Sequence, residues 1–184
     1  MSKVLLISTS LRAKSNSDIL TERLIAGATD AGHEVECVSL KGKTIQFCKG
    51  CLACQKTQKC VLNDDANAIA EKALAADTLV FVTPIYYYEM SGQMKTLLDR
   101  LNPMYPSDYQ FRSVYMMCVA AEDDPHVPDR AVNGLRGWIE CFEKASFAGS
   151  LFCGGINDPG EAAGRNDAQE RDRKSTRLNS SHSV

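Results

Sequence analysis

Five short stretches of the chain are rich in apolar residues, and the first, residues 4–7, has no polar residue in it. They cover residues 4–7, 35–40, 78–82, 113–121 and 147–152. An apolar stretch of this length with few polar interruptions predicts a β-strand that is covered on both faces. Between these stretches, apolar residues recur at intervals of three and four. This spacing predicts helices over residues 19–28, 65–75, 94–101 and 131–142.

Strands that alternate with helices predict a parallel sheet with helices on both faces, joined by right-handed crossovers. We find no internal repeat and no linker, so residues 1–163 are expected to form one α/β domain. In an open sheet of this kind, ligands bind beyond the carboxyl ends of the strands. The loops after the first, third and fourth strands are therefore the candidate binding loops.

The charges of the chain are almost balanced, with 21 basic and 23 acidic residues. This balance gives no global field that would favour nucleic acid or a membrane surface. No apolar stretch reaches the roughly 18 residues that a membrane-spanning helix needs, and the first residues fit a strand better than a signal peptide. We therefore expect a cytoplasmic protein without nucleic-acid or membrane partners, whose eight cysteines stay reduced.

The loop after the first strand is rich in hydrogen-bonding side chains. Its candidate binding residues are Ser8, Ser10, Arg12, Ser15, Asn16 and Ser17. The N–H groups at the start of the following helix, together with the helix dipole, favour an anion there. Hydroxyl groups and the fixed charge of Arg12 suit a terminal monophosphate, and no G-x-G-x-x-G segment is present for a pyrophosphate. The alternative is that Ser15 or Ser17 only caps the helix.

The loop after the third strand contains the consecutive tyrosines Tyr86, Tyr87 and Tyr88. Pro84 is expected to fix the turn out of the strand, and Ser91 is a suitable N-cap for the next helix. Aromatic rings beside such a turn offer flat, apolar contact for a planar ring system. The alternative is that the tyrosines form an ordinary hydrophobic or dimer-contact patch.

Two segments of the sequence resemble the NADPH-dependent FMN reductase family, which has a flavodoxin-like fold. The first segment is Ser8-Thr9-Ser10-Leu11-Arg12 with Ser15-Asn16-Ser17, although the family usually begins it with Gly-Ser. The second segment runs from Thr83 to Lys95 and on to Asp99-Arg100. In the family it forms a Pro-hydrophobic-aromatic turn, then Ser-Gly-x-x-Lys at the start of a helix, then an Asp-Arg pair.

The resemblance implies a doubly wound, five-stranded parallel sheet in the order 2-1-3-4-5. It also implies bound FMN, with NAD(P)H as hydride donor and a quinone, a flavin or another small molecule as electron acceptor. The implied FMN-binding residues are Ser8, Ser10, Arg12, Ser15, Asn16, Ser17, Pro84, Ile85, Tyr86, Tyr87 and Ser91. No side chain need act as a catalytic acid or base, because the cofactor carries the chemistry.

Relatives in this family often form dimers or tetramers with the flavin near an interface, so a homo-oligomer is expected. Tyr88 and Met90 could then contact the neighbouring subunit. Lys95 and Arg100 are interpreted as structural helix charges, and His126 as a solvated loop residue.

Four cysteines, Cys48, Cys51, Cys54 and Cys60, have the spacing C-x2-C-x2-C-x5-C. Four thiolates this close can hold a [4Fe–4S] cluster, and the surrounding lysines favour the thiolate form. The pattern resembles that of iron–sulfur flavoproteins, in which the cluster passes single electrons to FMN and a ferredoxin-like protein is the partner. Zinc is a second interpretation, although the spacing is unusual for it. Free or redox-active thiols are the third.

A further alternative for the whole chain is a flavodoxin-type carrier or thiol redox sensor that binds FMN without turning over NAD(P)H. The remaining cysteines, Cys37, Cys118, Cys141 and Cys153, lie in apolar contexts and are interpreted as small core residues.

Residues 164–184 do not continue the pattern of the domain. They are polar where the family would continue into a last helix covering one face of the sheet, so that helix is expected to be missing. Codons for Asp172 to His182 can spell a common sequencing-library adapter. We therefore interpret this segment as a non-native tail, with a natural disordered tail as the alternative.

Overall fold

The computed structural model describes residues 1–165, which are built around one sheet. Its strands are β1 (Lys3–Ser8), β2 (Glu34–Ser39), β3 (Thr78–Tyr86), β4 (Glu89–Met90), β5 (Ser113–Val119) and β6 (Ser146–Cys153). Five of them are parallel in the order β2-β1-β3-β5-β6, and β4 pairs antiparallel with the end of β3. With β4 left out of the count, this is the predicted order 2-1-3-4-5. The flavodoxin-like fold is thus confirmed.

Helices connect the parallel strands. They are α1 (Asn16–Asp30), α2 (Cys54–Thr57), α3 (Asp65–Ala75), α4 (Gly92–Arg100) and α5 (Asp129–Ile139), with short 3-10 turns at Asn102–Met104 and Glu161–Gly164. The side chains of Ser15, Asp64 and Ser91 accept hydrogen bonds from backbone N–H groups in the first turns of α1, α3 and α4. These caps set where the three helices begin, because the first N–H groups of a helix have no intrahelical acceptor.

Alternate residues of each strand point to opposite faces of the sheet, and each face has its own core. On one face Leu5, Ile7 and Phe81 pack with apolar residues of α3, α4 and α5. On the other face, Leu6 and Val80 belong to a smaller cluster that includes residues of α1 and of the 3-10 turn at Glu161–Gly164. Both faces are thus buried near the centre of the sheet, as the continuous apolar runs predict.

The end of β3 differs from the prediction. Pro84 does not turn the chain out of the strand but pairs with Val119 of β5, and β3 continues to Tyr86. The backbone groups of Pro84 face the same side of β3 as those of Val82, whose carbonyl oxygen points toward β1. The proline is tolerated because the pairing with β1 ends at Val82. The missing N–H of Pro84 therefore leaves no ladder partner unsatisfied.

Within residues 1–165 no helix is both long enough and apolar enough to cross a membrane. The sequence predicts a non-native tail over residues 164–184. Residues 166–184 lie outside the described residues, so for them this stays a prediction. Arg165 still belongs to the fold, since its guanidinium donates hydrogen bonds to the carbonyl oxygens of Gly154 and Gly155.

Candidate cofactor site

The loop between β1 and α1 is buried at both ends and exposed in the middle. Residues 8–10 and 15–17 are all buried, whereas residues 11–14 are exposed. The hydroxyl oxygen of Ser8 is buried without a hydrogen-bond partner. A buried hydroxyl group without a partner is costly, so this one needs an explanation such as a bound polar group. Its position at the carboxyl end of β1 fits that explanation.

Ser15 caps helix α1, which is the alternative role considered for it. Its hydroxyl oxygen accepts from the N–H of Asp18 at 3.1 Å, and the Asp18 carboxylate accepts from the N–H of Ser15 at 3.0 Å. This capping box satisfies the N–H of Asp18. The N–H groups of Asn16 and Ser17, in the first turn of the helix, have no acceptor within the helix. Two helix N–H groups beside a hydroxyl-lined loop are suitable donors to an anion.

Two of the predicted phosphate ligands contact another part of the chain. An Arg12 guanidinium nitrogen donates to the carbonyl oxygen of Asn157 at 2.6 Å. The Asn16 amide donates to the carbonyl oxygen of Asp158 and accepts from the N–H of Ala162. The segment after β6 is therefore held against the loop between β1 and α1. The composition of residues 157–162 gave no sign of this contact.

A buried network of hydroxyl groups joins the loops after β1 and β3. Thr9 donates from its hydroxyl to the carbonyl oxygen of Val82, and its oxygen lies 3.1 Å from that of Ser91. The Ser91 oxygen also accepts from Thr83 at 3.2 Å and from the N–H of Met94 at 3.3 Å. Ser91 is thus confirmed as the N-cap of α4. Its proposed contact with a cofactor stays a prediction.

The tyrosine segment forms a tight hairpin between β3 and β4. Ile85 pairs with Met90 and Tyr86 with Glu89, which leaves Tyr87 and Tyr88 as a two-residue turn. Both turn residues have positive φ, 51° and 65°. This conformation is uncommon for residues other than glycine, asparagine and aspartate.

Exposure separates the four residues predicted to contact the ring system. Pro84 and Ile85 are half-buried, while Tyr86 is 53% exposed and Tyr87 is 96% exposed. The structure therefore places the aromatic rings at the surface beside the carboxyl end of β3. They are available to a flat ligand or to another protein chain.

The loop after β5 packs tightly against the loop after β6. A methyl group on Gly154 would lie 2.5 Å from the carbonyl oxygen of Glu122 and 2.8 Å from the Cα atom of Asp123. Only glycine allows this approach.

His126, in the loop after β5, is exposed and contacts Asp129 at 3.0 Å, as expected for a solvated residue.

The loop that carries the four clustered cysteines is fastened at its base by Arg100. This side chain is fully buried and donates to the carbonyl oxygens of Gln46 and Leu62, at 2.8 and 3.3 Å. It also donates to both oxygens of the Asp64 carboxylate. The interpretation of Arg100 as a structural charge is therefore correct.

The four cysteines occupy different environments within this loop. Cys48 and Cys51 are exposed, Cys60 is half-buried beside Arg100, and Cys54 is buried. The sulfur of Cys54 accepts a hydrogen bond from the amide of Asn102 at 3.1 Å. Within residues 1–165, no three His, Cys, Asp or Glu side chains are gathered closely enough to hold a metal ion. The loop in this conformation therefore does not fit an iron–sulfur cluster or zinc.

The prediction that the other four cysteines are small core residues is correct for two of them and wrong for the other two. Cys118 and Cys153 are buried, and burial raises the pKa of the Cys118 thiol to about 12. Cys37 and Cys141, in contrast, are exposed. Cys37 lies on the edge strand β2, which has one neighbouring strand, and Cys141 follows the end of α5.

The sequence profile of the NADPH-dependent FMN reductases matches residues 2–152. The chain belongs to this family. The YwqN protein of Bacillus subtilis, provisionally named an NAD(P)H-dependent FMN-containing oxidoreductase, is 30% identical over 167 residues, which are 86% of this chain and 88% of that protein. The family match includes the hydroxyl-rich loop, the tyrosine hairpin and the cysteine loop.

Several archaeal relatives carry the name iron–sulfur flavoprotein. One from Methanocaldococcus jannaschii is 34% identical over 102 residues, which are 55% of this chain and 53% of that protein. One from Archaeoglobus fulgidus is 36% identical over 100 residues, or 54% of this chain and 49% of that protein. The chain thus spans about half the length of these relatives.

Solved structures agree on the fold. The NAD(P)H:quinone oxidoreductase of Methanothermobacter marburgensis superimposes with a TM-score of 0.66 at 18% identity, covering 100% of this chain and 98% of that one. An FMN-dependent NADH-azoreductase of Bacillus anthracis, solved with FMN, has a TM-score of 0.61 at 14% identity, covering 97% of this chain and 99% of that one. At these identities the likeness concerns the fold alone.

Proposed function

We propose that this protein is an FMN-dependent oxidoreductase that takes electrons from NAD(P)H and passes them to a small-molecule acceptor such as a quinone or a flavin. The observation that carries the proposal is the buried, unpartnered hydroxyl of Ser8, in a loop that ends at the open N–H groups of α1. Membership of the NADPH-dependent FMN reductase family supports the same conclusion.

The residues of the first loop fit the phosphate and ribityl groups of FMN. Ser8, Ser10 and Ser17 are buried and can donate from their hydroxyl groups, and the first turn of α1 adds backbone donors. Arg12 and Asn16 contact the segment after β6, so we assign them to holding that segment against this loop rather than to direct contact with the phosphate. Ser15 serves as the helix cap.

The flavin, when bound, would supply hydride and electron transfer between the donor and the acceptor. The protein's part is to orient it. Backbone groups from Pro84 to Tyr87 border the carboxyl end of β3, where they would contact the polar edge of the ring system, and exposed Tyr86 and Tyr87 offer aromatic contact. The Thr9–Ser91 contact fixes this hairpin relative to the loop between β1 and α1. No side chain is assigned the role of acid or base.

Oligomerisation would account for the exposed tyrosines. Tyr87 is almost fully exposed at the tip of the hairpin, where a second copy of the chain could cover it. We therefore propose a homo-oligomer in which Tyr88, which is 46% exposed, lies near the neighbouring subunit. Met90 is buried in the core of its own chain, so the expectation that it contacts the neighbouring subunit is dropped.

Flavin binding followed by turnover tests the proposal. The purified protein is titrated with FMN and with riboflavin, which lacks the phosphate, and NADH or NADPH oxidation is then followed with a quinone. We expect FMN to bind at least about 10-fold more tightly than riboflavin, because charge-assisted hydrogen bonds are the strong ones. Equal affinities would contradict the phosphate assignment. Tight FMN binding without NAD(P)H oxidation would indicate a carrier or a thiol redox sensor instead.

A second candidate is an iron–sulfur flavoprotein that exchanges single electrons with a ferredoxin-like partner. The cysteine spacing and the names of several relatives favour it. The cysteine loop would have to rearrange to bring Cys48, Cys51, Cys54 and Cys60 together. Iron and acid-labile sulfide, assayed on protein purified without oxygen, distinguish the candidates. Negligible iron in protein that binds FMN would leave the simple reductase.

A further inference from the structure

The tyrosine hairpin is attached to the rest of the protein at its base and at its tip. At the base, Met90 is buried against α5, where a methyl group on Gly134 would lie 3.0 Å from the Met90 side chain. At the tip, the hydroxyl of Tyr88 lies 3.1 Å from each of the two carboxylate oxygens of Glu122. Glu122 belongs to the loop after β5, so the tip contact joins two loops at the carboxyl edge of the sheet.

The conformation of the turn requires such an attachment. Tyr87 and Tyr88 both have positive φ, a backbone conformation that L side chains rarely adopt. Backbone strain of this kind persists only where the surrounding structure holds it. The tip is held by the contact of the Tyr88 hydroxyl with Glu122 and by the guanidinium of Arg130, which lies 6.0 Å from the centre of the Tyr88 ring.

We propose that Tyr88 and Glu122 are positioning residues for the flavin: their phenol–carboxylate hydrogen bond holds the hairpin against the loop after β5 and thereby sets the backbone that borders the ring system. The inference rests on the proposed function, because it assigns a purpose to the hairpin within the FMN site. It assigns no proton transfer to either residue.

Substitution of Tyr88 by Phe is the direct test, because it removes the hydroxyl and keeps the ring beside Arg130. The Y88F variant is expected to bind FMN about 3- to 10-fold more weakly than the native protein, the range that one lost hydrogen bond supports. Glu122→Ala is expected to have the same effect. Glu122→Gln, whose amide oxygen can still accept from the phenol, is expected to retain most of the affinity.

The matched control is Tyr105→Phe, the same chemical change at a tyrosine that is 56% exposed elsewhere on the surface. It is expected to leave FMN affinity unchanged. The Y88F/E122A double variant should bind FMN no more weakly than either single variant, because each single substitution already removes the same Tyr88–Glu122 contact. Additive losses would overturn the proposal, as would a Y88F variant with native affinity.

A second measurement, without flavin, tests the position of the hairpin directly. Amide hydrogen exchange of residues 86–90 in the flavin-free protein is expected to be faster in Y88F than in the native protein or in Y105F. Unchanged exchange would contradict the positioning role. If the native protein fails to bind FMN but Y88F shows faster exchange, the proposed function fails while the contact itself stands.

Discussion

The guanidinium of Arg100 donates to both carboxylate oxygens of Asp64, at 2.8 and 2.6 Å, and the two side chains are only 0% and 2% exposed. Arg100 is the last residue of α4, and Asp64 is the N-cap of α3. The same guanidinium binds carbonyl oxygens at both ends of the cysteine loop. One buried ion pair therefore joins two helices and closes this loop.

Loss of Arg100 is expected to be severe, since it leaves the Asp64 carboxylate buried without its counter-ion. The Arg100→Ala variant should lose about 3–5 kcal/mol of unfolding free energy, measured by urea denaturation. Lys95→Ala, which breaks the exposed pair with Asp99 on the same helix, should cost no more than about 0.5 kcal/mol. Similar losses in both variants would contradict a special role for the buried pair.

Acidification should weaken the same contact. Burial alone would raise the pKa of Asp64, but hydrogen bonds from Arg100 and from the N–H groups of Gln46 and Ala66 outweigh burial and hold the pKa below its ordinary value. A carboxyl with a lowered folded-state pKa contributes stability above its unfolded value of about 3.9, and that stability is lost as the pH falls through the folded value.

Urea midpoints measured from neutral pH down to about pH 3 test this expectation. The native protein should lose more stability on acidification than Asp64→Asn, which is already less stable at neutral pH. Parallel losses in the two proteins would show that Asp64 is not the group responsible.

The Ser91 hydroxyl is expected to matter for both stability and cofactor binding. Ser91→Ala removes the cap of α4. It also removes one hydrogen-bond partner from each of the hydroxyl groups of Thr9 and Thr83. We expect a loss of about 1–3 kcal/mol in unfolding free energy, together with weaker FMN binding. Ser150→Ala, at an exposed strand position, should change stability by less than about 0.5 kcal/mol. A Ser91→Ala variant as stable as this control would contradict the network.

The close approach of Gly154 to the loop after β5 makes a further test. Gly154→Ala would force Glu122 and Asp123 to move, at an expected cost of about 1–3 kcal/mol. Gly137, in the interior of α5, has open space around it, so Gly137→Ala should leave stability unchanged or raise it by up to about 1 kcal/mol. Thermal denaturation of the two variants makes the comparison, and a tolerated Gly154→Ala would show that the loops are not packed this tightly.

Thiol labelling reports the conformation of the cysteine loop. In the native protein, Cys48 and Cys51 should react rapidly with iodoacetamide, whereas Cys118 should react only after denaturation because burial raises its pKa to about 12. Mass spectrometry of the labelled peptides separates these sites. Protection of Cys48 and Cys51 together with Cys54 and Cys60, removed by iron chelation, would instead indicate a bound cluster.

The sheet could be predicted from the sequence because its central strands β1, β3 and β5 are nearly continuous apolar runs bounded by polar loops. The edge strands β2 and β6 carry more polar and exposed residues. The strand order and the position of the binding loops followed from the family resemblance and the topology. The continuation of β3 through Pro84 could not be predicted, since proline usually ends a strand and its tolerance here depends on where β1 stops.

Side-chain partners were the other part that the sequence could not reveal. Arg12 and Asn16 contact Asn157 and Asp158, more than 140 positions away in the chain, and no local pattern marks such a pair. The exposure of Cys37 was missed because only the apolar residues of this segment were weighed. The predicted order 2-1-3-4-5 already places the strand at the edge of the sheet, and the polar residues Glu36 and Ser39 indicate a partly exposed strand.

The central claim is that this chain binds FMN and reduces it with NAD(P)H. The most direct measurement is the visible spectrum of protein loaded with FMN under anaerobic conditions, recorded before and after the addition of NADH or NADPH. We predict flavin bands that stay with the protein after unbound FMN is removed and that bleach when the nicotinamide is added, because on the proposed function FMN is bound at the carboxyl edge of the sheet. A protein that retains no FMN, or whose bound flavin neither nucleotide reduces, would contradict the claim.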